Sequence, residues 1–156
     1  IAEITLFSLD LIIIYFQPDV ALSGRIVMLI AYSVFFGYVI FILIKRISSV
    51  EVITSDTIKG GISIYLLLGF FWQVIFLIFI RLKPDSFNGI ENIGLDSFYY
   101  SFTTFSTLGY GDITPNSDYT KLLGILEACS GQIFLAIFIA QLIGRRLASG
   151  KYHKVF

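Results

Sequence analysis

An all-α membrane protein is the fold class that the sequence predicts, and three observations carry it. The 156 residues are 56% hydrophobic and only 14% charged, with a mean hydropathy of +0.85, whereas soluble domains run near a quarter charged. The charges are not scattered but bracket three long apolar runs. Between two of those runs a short aromatic stretch leads into a glycine-rich segment, an arrangement foreign to a surface loop. Eleven Lys and Arg balance eleven Asp and Glu, so no nucleic-acid partner reading a basic surface is expected. The single cysteine, Cys129, rules out an intramolecular disulfide framework and a cysteine zinc cage, and is read as a small apolar packing residue.

The elements follow in chain order. Ile4 to Phe16 is an apolar stretch of thirteen residues with Asp10 in its middle. That length alone suits a buried or interfacial helix, and neither a basic leading region nor a small-residue cleavage site marks it as a signal peptide. It is read as a membrane helix over about residues 3–17, ending near Gln17-Pro18. Asp10 is then a partner for Arg25 or a pH sensor, or alternatively a cap or a headgroup-facing acid. Ile26 to Ile44 holds nineteen uncharged residues between Arg25 and Lys45-Arg46, and predicts a second helix over about 25–47. These two form an N-terminal pair within residues 1–50.

Ile62 to Ile80 is a further run of nineteen, closed by Arg81, and Leu122 to Ile143 is one of twenty-two that encloses Glu127 and precedes Arg145-Arg146. They predict helices over about 55–81 and 119–147. At about 1.5 Å per residue, each of these runs crosses a hydrocarbon core of about 30 Å. Residues 148–156 read as a cytoplasmic tail, with His153 solvated. With four spans, Lys45, Arg46, Lys59, Arg145, Arg146, Lys151 and Lys154 share one side, against Arg25, Arg81, Lys83 and Lys121 on the other. The positive-inside rule then makes this a multi-pass protein of the cell membrane with both termini in the cytoplasm.

About forty residues join the last two runs, which is long for a connection without structure. Asp96-Ser97 can cap a helix, and Phe98 to Thr107 is bulky, aromatic and uncharged. A helix over about 96–107 is too short to cross a bilayer but long enough to enter it halfway. It leads directly into Thr107-Leu108-Gly109-Tyr110-Gly111-Asp112. Non-helical backbone at membrane depth survives only when buried in protein or lining a polar cavity. Alternate glycines can turn successive carbonyls to one side, where they replace the water shell of a cation.

Thr104-Phe105-Ser106-Thr107-Leu108-Gly109-Tyr110-Gly111-Asp112 resembles the signature of potassium channels, T-x-x-T-V-G-Y-G-D. The resemblance covers residues 55 to 147 and implies a pore domain over 51–147: outer helix, pore helix, filter 107–112 and inner helix, preceded by two additional helices. The whole layout is similar to small prokaryotic members of the pore-loop ion-channel superfamily. It implies a homotetramer in the lipid bilayer, with one filter from each chain. K+ ions would sit at the carbonyls of Thr107, Leu108, Gly109 and Tyr110, with Gly111 and Asp112 completing the filter and no organic cofactor. Leu108 stands where the family usually has Val.

Further roles are implied by position. Tyr110 is expected to pack into Tyr99 and Tyr100. Thr103 stands where some relatives place an acid that pairs with the residue matching Asp112, so that pair cannot form here. Glu127 either bonds hydroxyls such as those of Thr103 or Thr104 behind the filter, or is a neutral acid packed between helices. Gly131 occupies the place of a hinge glycine, and either bends or packs closely. Gln132, Leu135, Ala136 and Ile139 share one helical face and are expected to line a water-filled cavity. The function expected is passive, potassium-selective conduction, with a weakly selective or non-selective cation channel as the alternative. Tyr110 argues against the alternative, since related pores lose selectivity when that residue is Asp. No convergent His, Cys and carboxylate set suggests an enzyme, and no arginine at every third position suggests a voltage sensor.

Overall fold

The computed structural model describes residues 22–50 and 53–151; the helix expected over 3–17, with Asp10, lies outside them, as does His153. Among the described residues three helices are long and apolar enough to cross a membrane. The first, α1 (Leu22–Ser48), ends on Lys45 and Arg46. The second, α2 (Ser55–Leu82), starts at a capping box in which Thr54 Oγ1 accepts from Thr57 N while Thr57 Oγ1 accepts from Thr54 N. It stops before Pro84, which opens a 3-10 turn over Pro84–Ser86, because a proline there offers no amide and disfavours helix before it.

The half-length helix, α3, runs Ile93–Phe105, a few residues ahead of the expected 96–107. Asn92, not Asp96, is its N-cap: Asn92 Oδ1 accepts from Leu95 N. Asp96 reaches back instead and accepts from the amides of Glu91 and Asn92, both at 2.7 Å. Thirteen residues give a helix of about 20 Å, well short of a bilayer core. The last helix, α4 (Asp118–Lys151), begins where Ser117 and Thr120 exchange side-chain and backbone hydrogen bonds. Between these helices two short strands, β1 (Phe87–Asn88) and β2 (Thr114–Pro115), pair antiparallel, with Phe87 opposite Pro115. Thr120 Oγ1 and Asn116 N both donate to Ser86 O, so the two connections around the glycine-rich segment are tied together.

Packing runs outward from α3 and α4 through α2 to α1. Trp72, Phe76 and Ile80 of α2 join Tyr100 and Phe105 of α3 and Phe87 and Ile113 of the connections in one core. On its other side α2 packs Val74 and Leu77 against Leu29 and Phe36 of α1, and Ile64 against Ile40 and Ile47. The outward side of α1 carries Val27, Val34 and Phe41, all more than 60% exposed, as befits a face toward lipid. This is an all-α, multi-pass membrane architecture.

One polar contact crosses from α4 to the peripheral helix. Arg145 donates through Nη1 to Ile47 O and through Nη2 to Ser48 O, each at 2.9 Å. These carbonyls lie at the C-terminus of α1, where acceptors lack intrahelical partners and the helix dipole favours a cation. Arg145→Ala is expected to lower the thermal midpoint of the purified protein by a few degrees, an effect of about 1 kcal/mol. Arg145→Lys should recover only part of it, since an ammonium cannot fork across two carbonyls as a guanidinium does. Circular dichroism melts in detergent test this, and equal midpoints for all three proteins would mean that the fork contributes nothing.

Candidate ion-binding site

Helix α3 unwinds at Ser106, and the chain enters a backbone that no regular element uses. Thr107 has φ +64°, Gly109 +52° and Gly111 +80°, while Leu108 and Tyr110 between them keep negative φ. Nothing lies within 4 Å of where a Cβ would sit on Gly109 or Gly111. These two glycines therefore serve the left-handed conformation rather than a tight space. Thr107 adopts the same conformation with a β-branched side chain, at a cost of about 1–2 kcal/mol. Two hydrogen bonds to the end of α3 hold it there: Thr107 N donates to Thr104 O at 3.0 Å, and Gly109 N to Thr103 O at 3.1 Å.

The Asp112 end of the segment is braced by Tyr99. Its hydroxyl donates to Asp112 Oδ2 at 2.8 Å, and its ring lies parallel to that of Tyr110, centroids 6.2 Å apart and planes within 5°. This hydrogen bond holds the Asp112 carboxyl below the usual aspartate range, because it stabilises the charged form. Tyr100 does not share in it, contrary to expectation. One residue further round the helix, it turns away to pack edge-on against Phe76 and Phe87, since neighbouring helical residues diverge by about 100°.

Behind the segment the expected partners are also exchanged. Glu127 is fully buried, yet its hydrogen-bond partner is Ser101 Oγ at 2.6 Å and not Thr103 or Thr104. Thr103 lies about 200° further round α3, and its hydroxyl donates to Tyr100 O. Thr104 lies nearly a turn further along, about 4.5 Å beyond Ser101. What the two threonines supply to the glycine-rich segment is their carbonyls. A Cβ on Gly131 would stand 2.8 Å from Phe105 O and 2.9 Å from its ring, so this glycine lets α4 close on the end of α3. On the far face of α4, Gln132, Ala136 and Ile139 are exposed and Leu135 is half-buried. Sequence reasoning missed Ser101 and the Tyr99–Asp112 bond. Only the hydroxyls along α3, each needing a partner at membrane depth, signalled that such bonds exist.

Among the described residues no three His, Cys, Asp or Glu side chains gather as a metal cluster. The sequence model of the ion channel family matches residues 62–147, more than half the chain, and takes in α3, the glycine-rich segment and α4. The chain belongs to the ion channel family. Curated relatives agree. This channel chain is 42% identical over 65 residues to two-pore potassium channel 4 of Arabidopsis thaliana, covering 41% of the chain and 23% of that protein. It is 35% identical over 78 residues to two pore potassium channel a of Oryza sativa subsp. japonica, covering 50% and 21%. It is 31% identical over 85 residues to the putative potassium channel protein YugO of Bacillus subtilis (strain 168), covering 54% and 24%. The channel chain thus spans less than a quarter of the length of each of these relatives. No solved structure matches it.

Two outcomes follow from the site. Tyr99→Phe removes the bond that holds Asp112 down, so its carboxyl should return toward the ordinary range. The Tyr99–Asp112 bond persists at neutral pH and is lost as pH falls through the lowered value. In the variant, Asp112 should therefore take up its proton at a higher pH than in the wild type, as read by carbon-13 NMR of labelled aspartates. An unchanged titration would mean that the Tyr99 bond does not hold the carboxyl down. Gly131→Ala should destabilise the protein by about 1–3 kcal/mol through overpacking on Phe105, and a midpoint equal to wild type would favour bending over packing.

Proposed function

We propose that the chain is the subunit of a potassium-selective channel, with four copies around one axis and K+ moving passively down its gradient. The observation that carries this reading is the segment Thr107 to Asp112, left-handed at every second residue and hydrogen-bonded to the end of a half-length helix. Such alternation turns successive carbonyls the same way, and a ring of carbonyls from several chains can replace the hydration shell of a cation. Thr107, Leu108, Gly109 and Tyr110 would hold the ions, with the Thr107 hydroxyl at the inner end. Gln132, Leu135, Ala136 and Ile139 would line the cavity below. The C-terminus of α3 would lend that cavity the negative end of its dipole. The names of the relatives, all potassium channels, support the choice of ion.

A homotetramer is proposed because one chain supplies one filter segment. Both termini are placed in the cytoplasm, where the basic ends of α1 and α4 would lie. The acidic connections then face outward, where Asp85, Glu91 and Asp118 would concentrate cations before entry.

Reconstitution of the full chain into liposomes with opposed K+ and Na+ gradients tests the reading, and K+ flux without Na+ flux is expected. Equal fluxes would favour the non-selective cation channel. Gly109→Ala forces an L-residue to φ +52° with free space around it, which costs about 1 kcal/mol or more and distorts the carbonyl row. Selective conduction should be lost while the assembly stays tetrameric by cross-linking. Wild-type currents from this variant would remove the filter assignment.

A further inference from the structure

Three oxygens from three helices stand in file behind the filter segment. Ser101 Oγ of α3 lies 2.6 Å from Glu127 Oε1 of α4 and 2.9 Å from Gly69 O of α2. All three residues are buried. Gly69 brings its carbonyl this close because it has no side chain: a Cβ there would stand 2.8 Å from the Phe102 ring. Glu127 lies on the face of α4 opposite Gln132, Ala136 and Ile139, so water in a central cavity would not reach it.

The protons can be counted. A serine hydroxyl has one hydrogen to donate, whereas a peptide carbonyl and an ionised carboxylate can only accept. Were Glu127 ionised, Ser101 could satisfy one neighbour, and the other contact would set two lone pairs against each other at hydrogen-bonding distance. The charge would also lack a counter-ion. Glu127 Oε2 has no hydrogen-bond partner, and among the described residues the two ion pairs that can be traced, Lys59–Asp56 and Lys121–Asp118, are exposed and do not include it. A proton on Oε1 removes both conflicts. Glu127 then donates to Ser101 Oγ, Ser101 donates to Gly69 O, and the bare Oε2 is a neutral carbonyl oxygen, cheaper to bury than a charged one.

We infer that Glu127 is held as a neutral carboxylic acid and acts as a positioning residue, its proton completing a chain of hydrogen bonds that fastens α4 and α2 to α3 behind the filter. The fastening is doubled one turn along, where Trp72 Nε1 donates to Ser130 Oγ and Ser130 donates to Glu127 O. What is positioned is the end of α3, whose Thr103 carbonyl receives the amide of Gly109. The link to selectivity rests on the proposed function, whereas the proton assignment stands on the three oxygens alone.

Infrared spectroscopy of the full chain in nanodiscs, with its glutamates carbon-13 labelled, reads the proton directly. At about pH 8, well above the ordinary glutamate range, the wild type should retain a protonated-carboxyl stretch that Glu127→Gln removes. A difference spectrum that shows only a lost carboxylate band would overturn the assignment. Variants read the positioning. Glu127→Gln keeps an N–H donor for Ser101, so its thermal midpoint and K+/Na+ permeability ratio should stay near wild type. Glu127→Leu and Ser101→Ala should each lower the midpoint by roughly 4 °C and reduce the permeability ratio several-fold. A Gln variant as impaired as the Leu variant would overturn the donor role. Should the wild type itself conduct without selectivity, the proposed function fails, and the infrared band and the order of midpoints still decide the state of Glu127. Should the variants not fold, the labelled wild-type spectrum decides it.

Discussion

A peptide amide at membrane depth has no water to turn to, and its partner must be built into the protein. In this chain the amide of Gly109 meets that requirement at Thr103 O. Much of the surrounding structure can be understood as holding that carbonyl in place. Helix α3 must end at Phe105, so that its last carbonyls are free of intrahelical partners. It must also be fixed in rotation and depth, since a shift of one residue would carry Thr103 about 100° round the axis. The aromatic core of Trp72, Phe76, Phe87, Tyr100 and Phe105 resists the rotation. The ribbon of β1 and β2 and the bonds to Ser86 O hold the connections at either end.

Helices in lipid gain little from hydrophobic burial against each other, so close backbone approach and interhelical hydrogen bonds take a larger share. Both devices occur together here. Gly69 and Gly131 admit the rings and backbone of α3, and Gly61 sits directly over the Phe138 ring of α4. The approaches they allow bring Ser101 to Gly69 O and Trp72 to Ser130. Near the C-terminus of α4, Arg145 extends the same principle to α1. The peripheral helix is thereby tied to the end of α4 by a polar contact as well as through the packing of α2.

Much of this was legible in the sequence, and the limits have physical reasons. The long spans could be read because charge is expensive in hydrocarbon, so Arg25, Lys45, Arg81 and Arg145 mark where it ends. The left-handed positions at Gly109 and Gly111 could be read because glycine reaches them most easily. Thr107 could not, since its conformation is imposed by two tertiary hydrogen bonds against its own preference. The start of α3 was misplaced because Asn92 and Asp96 can both cap a helix, and only the fold of the preceding turn decides between them. Glu127 was visible as an anomaly, but its partner depends on where three helices cross, and no local pattern encodes that.

The two sides of the glycine-rich segment are treated very differently. Toward α3 it is hydrogen-bonded and braced by Tyr99. Toward the other side Leu108 and Tyr110 are 61% and 68% exposed, and the glycines face open space. A strained Thr107 and two glycines could not keep one conformation against solvent or lipid on that side. Restraint from one side suffices only if the other meets a matched surface, and α4 offers such a surface in its exposed row of Leu122, Ile125, Leu126 and Ile133. On the proposed reading, a single chain supplies one part of an enclosure. The proposed fourfold arrangement closes it with further copies of the same two faces, which is the simplest source of the missing contacts. On this reading the exposure of Tyr110 and the burial of Glu127 have one origin. The segment is fixed from behind by its own chain, and from the side and front by its neighbours.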